Sequence, residues 1–401
     1  MRMPKTYLGF PVEQQPTPHT TVKNKRRAGV AIIIAVMIIS LMMVFTADMI
    51  VNSQVNLELV SATNDNITAE YLAKSGFNLA LLLLSIDYGI DLTRQHHMKQ
   101  KPTDSFADIW AAVNHIPIGE ATAKTLQDLF ALNPLTDAAA IEMLGRFDGE
   151  FTLNISDEAT KINVNYCAAG EITPACKQVQ AKLLALFNCP LEKSYLDSKN
   201  IRPLEIVTRF QDWIDRNDRA DPNSGFSGES DPYLSMSPPY KAKNSQFDSI
   251  DELKLIDGWD DDLHAVFSPY LTTYPFKKTG NDPKDRSRIN INTAPRELLA
   301  CLVPEAREKC GDTFDIAITR AHKDKSPVGN DARSALKDTL CLPENDKGKL
   351  DWFTESSPVY RIEVKGTAGF QTKSLQAVIV RGLDTARKTA AAYRLLYWRM
   401  G

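Results

Sequence analysis

Residues Val30 to Phe45 read VAIIIAVMIISLMMVF, a run interrupted only by Ser40, and Thr46, Ala47, Met49, Ile50 and Val51 extend it around Asp48. A helix of about 20 such residues spans the hydrocarbon core of a bilayer. Lys23, Lys25, Arg26 and Arg27 precede the run with no acidic residue between them and it. The positive-inside rule then keeps residues 1–28 cytoplasmic and sends the rest of the chain outward, as a single-pass membrane protein with a large domain outside the cytoplasm. A signal peptide or plain signal anchor shares this outline, but no Ala-x-Ala cleavage site follows the run. Beyond Val51 the apolar residues Val55, Leu59, Ala62, Ala69, Leu72, Ala73, Phe77, Ala80, Leu81 and Leu84 keep helical spacing without a proline. One helix from Val30 to about Ile86 is therefore expected to run from the membrane into the outer domain.

The remainder is globular in composition. Over 401 residues the chain is 43% hydrophobic and carries a net charge of -3, enough apolar surface for a sizeable core and no global attraction to nucleic acid. Phe151–Ile155 and Lys161–Asn165 read as a hairpin of alternating strands. Val359–Gly366 and Leu375–Val380 read as two more strands, separated by a turn around Gly369. Between them, from about Tyr166 to Leu350, short helical patterns alternate with turns such as Asp221-Pro222-Asn223 and Asp257-Gly258. The segment Arg387–Met400 reads as an amphipathic surface helix.

Arg26-Arg27-Ala28-Gly29, with Val30 opening the apolar helix, resembles the leader of type IV pilins and pseudopilins. The resemblance implies cleavage after Gly29 by a prepilin peptidase and methylation of Val30. Most such proteins carry Glu at the fifth mature position, which here is Ile34. The lack of a carboxylate there, the Tyr71-Leu72-Ala73-Lys74-Ser75-Gly76 segment, Asp157-Glu158 with Lys161-Ile162-Asn163-Val164-Asn165, and Asp212-Trp213-Ile214-Asp215 together resemble the minor pseudopilin K family of type II secretion systems. Tyr233-Leu234, Pro238-Pro239-Tyr240, Phe247 to Leu253 and Ile289 to Pro295 follow in that family's order.

The resemblance implies an α+β, pilin-like fold with a long N-terminal transmembrane helix and an antiparallel β-sheet, interrupted by a large inserted α-helical domain. The corresponding domains are a leader over 1–29, the helix over 30–95, a pilin-like α/β part over 96–165, the insert over 166–350, and the closing strands and tail over 351–401. The role implied is non-enzymatic: initiation and tip of the periplasmic pseudopilus for protein export. The partners implied are the I- and J-type minor pseudopilins, the major pseudopilin, the prepilin peptidase and the inner-membrane assembly platform, and beyond them the outer-membrane secretin and exported proteins.

Asp215, Asn217, Asp218, Asp221, Asn223, Glu229 and Asp231 place many oxygen donors in one stretch, with Gly225 and Gly228 for turns. This is either a solvated acidic loop or a calcium site, since calcium takes several oxygens from a flexible loop. The resemblance favours calcium, with Asp215, Asn217, Asp218 and Glu229 matching the family pattern and Asp221 and Asp231 completing the candidate ligands. Cys167, Cys176, Cys189, Cys301, Cys310 and Cys341 all lie beyond the anchor, where an even count favours disulfides of undetermined connectivity. No Cys-x-x-Cys knuckle points to zinc, and no nucleophile elbow, His-Glu-x-x-His pair or phosphate loop points to catalysis.

Two other functions share parts of this pattern. Asp251 to Leu271 and Ile291 to Leu302 resemble helix-hairpin-helix units, as in membrane-anchored, competence-like DNA-binding proteins. Asp257, Asp260, Asp261 and Asp262 would repel phosphates there, so no nucleic-acid partner is expected. A minor pilin of a type IV pilus would share the leader and helix, but not the insert or the Asp-Trp-Ile-Asp loop.

Overall fold

The computed structural model describes residues 25–99, 102–119, 122, 148–167, 174–274, 288–305, 311, 347–382 and 392–401. Contacts divide the chain into two units, Met1–Thr63 and Asn64–Gly401. Within the first, the described residues form a single helix whose residues are exposed from Gly29 to Ser61. This helix, α1, covers Lys25–Met98 and so extends further than its apolar spacing indicated.

Within the second unit, α1 covers one face of an antiparallel sheet. The strands are β1 (Pro117–Gly119), β2 (Glu150–Asp157), β7 (Val359–Ala368), β8 (Gln371–Gly382) and β9 (Ala392–Met400), ordered β1-β2-β7-β8-β9. Ala69, Leu72, Ala73, Leu79, Ala80, Leu83 and Leu84 of the helix pack on Phe151, Leu153, Ile155, Ile362, Val364, Leu375 and Ala377. Alternation along β2 puts every second residue into this core. Burying each large aliphatic or aromatic side chain contributes about 1.5–3 kcal/mol.

The insert leaves and rejoins the sheet through two parallel ladders. β3 (Ile162–Asn163) pairs with β4 (Leu271–Thr272), and β5 (Ile289–Asn290) pairs with β6 (Phe353–Thr354). Between the ladders, helices Pro174–Phe187, Pro203–Ile214, Asp261–Phe267 and Arg296–Leu302 enclose their own core. Phe187, Phe210, Trp259 and Phe267 form its aromatic centre. A disulfide between Cys189 and Cys301 crosses this domain.

Two elements differ from the sequence reading. Lys161–Asn165 is not the hairpin partner of Phe151–Ile155, because β2 pairs with β1 and β7. Asp157 instead caps a 3-10 turn over Glu158–Thr160, accepting from the Ala159 N–H at 2.7 Å, which turns the chain out of the sheet. The end of the chain is a strand rather than an amphipathic helix. Its aromatic and aliphatic residues, from Tyr393 to Met400, pair with β8 around a bulge at Val378/Ile379.

At Gly366 the sheet backbone lies directly against α1. A Cβ there would press on the Ala69 carbonyl oxygen and lie 2.7 Å from the Ala73 nitrogen. Replacing Gly366 with Ala is expected to lower stability by about 1–3 kcal/mol, because the obstacle is backbone that cannot rotate away. A chemical denaturation midpoint equal to the parent's would contradict this packing.

Candidate functional site

The Asp-Trp-Ile-Asp motif closes the helix Pro203–Ile214, which starts with Pro203 in its first turn and Glu205 reaching back to the Arg202 backbone. The helix ends where Asp215 adopts an extended conformation. Trp213 is fixed on three sides. Its ring meets Tyr233 edge-on at 5.1 Å and Tyr240 at 6.2 Å, and its indole N–H donates to Glu252 Oε1 at 3.1 Å. Tyr240 is itself held by donation from its hydroxyl to the Leu255 carbonyl at 2.7 Å. With the tryptophan anchored, Asp212 and Asp215, which flank it in the motif, are both buried and meet Glu229 from the following loop.

Arg209, one turn earlier, holds that loop from below. It donates to the Ser224 carbonyl at 3.1 Å and to the Asp257 carbonyl at 3.0 Å. Gly258 has φ +80°, and a Cβ there would lie 2.7 Å from Arg209 Nη1, so glycine serves both the turn and the guanidinium.

Carboxylate oxygens of Asp212, Asp215 and Glu229 lie within 4.8 Å of one another. Asp212 Oδ1 accepts the Asp221 N–H at 2.9 Å, whereas Oδ2 has no hydrogen-bond donor among the described residues. Both Glu229 oxygens are likewise buried without a donor. Burial, reinforced by Asp215, pushes the Glu229 carboxyl up to about 8, and burial raises Asp212 to about 6. The C-terminal end of a helix adds negative potential at the same place. Buried oxygens with no donors, converging at a negative helix end, suit a hard divalent cation such as calcium.

The other candidate ligands lie around this trio in different roles. Asn217 donates to Asp215 Oδ1 at 2.9 Å. Asp218 accepts from Asn244 at 3.0 Å, Asp221 binds the backbone and side chain of Asn223, and Asp231 accepts the Gly228 N–H at 2.6 Å. Asp212 was absent from the sequence-based ligand set, although its motif was identified. A helix position looks like a surface residue in sequence, and only the anchored Trp213 reveals that it is buried.

Gly29, Val30 and Ile34 fall on α1, with Val30 55% and Ile34 52% exposed in a helix long and apolar enough to cross a membrane. Residues 1–24 of the leader lie outside the described residues. Of the cysteines, Cys176 is also disulfide-bonded. Cys310 and Cys341 lie outside the described residues, as does the side chain of Cys167.

The Asp157-Glu158 motif occupies the junction between sheet and insert. Asp157 Oδ2 accepts from Asn290 and Thr293, both at 2.7 Å. Glu158 receives Arg361 of β7 at 2.9 and 3.0 Å and the Thr272 hydroxyl of β4 at 2.7 Å. Burial pushes Glu158 up, but Lys161 and Arg361 more than reverse it and hold its pKa below the usual value.

If the acidic trio stands as described, replacing Glu229 with Gln should raise the melting temperature at pH 8 in chelator. A carboxyl raised in the folded state destabilises as pH climbs from about 4, its unfolded pKa, to about 8. The gain should shrink towards pH 4.5; a loss at pH 8 would mean that a donor engages the carboxylate.

Known proteins resemble this chain at both levels. The family model described as Type II secretion system (T2SS), protein K matches residues 160–276, the start of the insert including the acidic loop. Type II secretion system protein K of Klebsiella pneumoniae is 26% identical over 70% of this chain and 72% of that protein. The namesake of Aeromonas hydrophila is 23% identical over 90% of this chain and 95% of that protein. Among solved structures, a chain of the GspK-GspI-GspJ complex of the enterotoxigenic Escherichia coli type 2 secretion system superposes with a TM-score of 0.54. That match has 16% identity and covers 85% of this chain and 98% of the other. The anchor helix, the pilin-like sheet, the helical insert and these relatives agree: the chain is similar to type II secretion system protein K, a minor pseudopilin.

Proposed function

We propose that this minor pseudopilin forms the tip of the periplasmic pseudopilus and starts its assembly, a structural role without turnover. The observation that carries the reading is Ile34, an apolar residue on an apolar helix where a stacked subunit would need a carboxylate. A carboxylate buried in hydrocarbon costs several kcal/mol unless an opposing charge meets it. A subunit with no neighbour above has no amino terminus to compensate, and an apolar residue is then the cheaper choice. The basic residues before the run argue for a cytoplasmic leader cut after Gly29 and for a periplasmic domain. The natural partners are the I- and J-type subunits, like those in the solved complex, followed by the major pseudopilin and the assembly platform. The secretin and exported proteins lie further along the same path. The hairpin Ile256 to Asp262 gives the DNA-binding alternative no support. Its neighbouring cations are already engaged, Lys199 by Asp260 and Asp262 and Lys254 by Asp261.

Replacing Ile34 with Glu should reduce secretion severely while leaving the protein in the membrane, and normal secretion by that variant would defeat the tip assignment. Mass spectrometry of the membrane-extracted protein should find methylated Val30 at its terminus only in cells that contain the prepilin peptidase.

Calcium in the acidic loop belongs to the same reading, with Asp212, Asp215 and Glu229 as inner ligands. Calcium would neutralise oxygens that otherwise repel one another and so fix the loop. At a hundred times its dissociation constant, a ligand of the folded state alone adds about 2.7 kcal/mol. Calcium should therefore raise the melting temperature of the parent by several degrees and leave Glu229→Gln nearly unmoved. Calorimetry without binding heat in the parent would remove the metal from the proposal.

A further inference from the structure

Far along the sequence from the acidic loop, the end of β8 holds a second concentration of buried charge. Arg381 pairs with Asp87 Oδ2 at 2.7 Å and Asp104 Oδ1 at 2.6 Å, and lies 3.8 Å from Asp91 Oδ2. Asp104 is fully satisfied, since it also accepts the Tyr360 hydroxyl and the Ser357 N–H. Asp108 accepts the Ser105 N–H at 2.6 Å, and an oxygen of Asp108 lies within 4.8 Å of oxygens of Asp87 and Asp104. Asp91 is 3% exposed, and its Oδ2 has no hydrogen-bond donor among the described residues.

The groups facing this cluster do not balance it. From α1 come Asp87, Tyr88, Asp91 and Arg94; from residues 104–108 come Asp104 and Asp108; from the sheet come Asp157, Tyr360, Arg381 and Tyr393. Arg381 is stacked between Tyr360 at 5.0 Å and Tyr88 at 5.4 Å, so it is held on Asp87 and Asp104 and stays 3.8 Å from Asp91. Five aspartates thus meet two guanidinium groups, one of which, on Arg94, is exposed. Carboxylates that burial has stripped of water, and that no cation reaches at bonding distance, hold protons instead.

We infer that the Arg381 cluster is a proton-loaded clasp, in which Asp91 is protonated at neutral pH and α1 is locked to the end of β8 only while that proton stays. Burial and the neighbouring Asp104 raise Asp87 to about 8 and Asp91 to about 7. A carboxyl raised on folding favours the folded state below its unfolded pKa and loses that advantage as pH passes through the folded value. The clasp therefore weakens from about pH 4 upward and is weakest above about pH 7. A domain outside the inner membrane would meet such changes directly, because no cytoplasmic buffer protects it.

The test compares the detergent-solubilised full-length protein with its Asp91→Asn variant by thermal melting between pH 4.5 and 9, in chelator and again with calcium. Asparagine mimics the protonated carboxyl. The variant should melt within a degree or so of the parent at pH 4.5 and about 2–4 °C higher at pH 8, the gap opening through pH 5–7 and staying level above. Parallel curves, or a variant less stable at pH 8, would overturn the clasp. So would a calcium-induced rise at pH 8 that the parent shows and Asp91→Asn loses, since a metal would then replace the proton. If the variant fails to fold, proton release on denaturing the parent at pH 7 decides the matter. Asp91→Ser should release fewer protons than the parent, and an unchanged count would sink the proposal.

Discussion

The fold depends on two adjacent acids at the end of β2. Asp157 and Glu158 stand where the chain leaves the sheet, and each binds groups from distant segments: Asn290 and Thr293 for the first, Thr272 and Arg361 for the second. Both carboxylates are buried, so neither gains from water, and each is stable there only because donors come from both the sheet and the insert. The ladders β3–β4 and β5–β6 provide too few backbone hydrogen bonds to fix the insert alone. Side-chain acceptors complete the connection, and removing one would leave several buried donors unpaired rather than one. The same arrangement accounts for the Ile289 to Pro295 motif, whose Asn290 and Thr293 are there to meet Asp157.

Once the junction is fixed, the insert can carry a feature the pilin sheet could not. Its aromatic core seats Trp213, and Trp213 seats the acids on either side of it. Two carboxylates next to a buried indole at a helix C-terminus are unfavourable unless a cation joins them. The calcium proposed for this loop would relieve that cost. The Arg381 cluster meets a similar excess of carboxylate with an internal guanidinium and protons. Arg381 already takes the central position there, whereas in the trio Asp212 Oδ2 and both Glu229 oxygens have no donor among the described residues.

Much of this architecture was legible in the sequence because it follows from periodicity and motif order. The anchor, the strands from Val359 and Leu375, and the helical insert each leave a repeating apolar signature, and the order of short motifs placed them in one family. What escaped was structure built from polar burial. The helix runs on to Met98 because Asp87 and Asp91 face inward to Arg381, and acids four residues apart read as solvent-facing in any apolar count. Asp212 was missed for the same reason. Lys161–Asn165 alternates like a strand but pairs in a ladder closed from Leu271, a partner more than a hundred residues away that local pattern cannot supply. In the last strand, Tyr393-Arg394-Leu395-Leu396-Tyr397-Trp398 mixes apolar and basic residues in an order compatible with either period. Pairing with β8 decides between them.

These misses share a cause with consequences for function. A pseudopilin subunit has to be apolar where it meets lipid and neighbouring helices, and polar where its own folded part is joined, so its specificity lies in buried polar groups. Exchanging such groups for apolar ones often costs little stability, and retaining them makes sense where they select one arrangement over others. Here four buried acids connect segments distant in the chain: Asp157 to the insert, Glu158 to β7, Asp87 and Asp104 to the end of β8. Hydrophobic contacts between the same elements would tolerate sliding of α1 along the sheet, whereas the Arg381–Asp87 hydrogen bond at 2.7 Å does not.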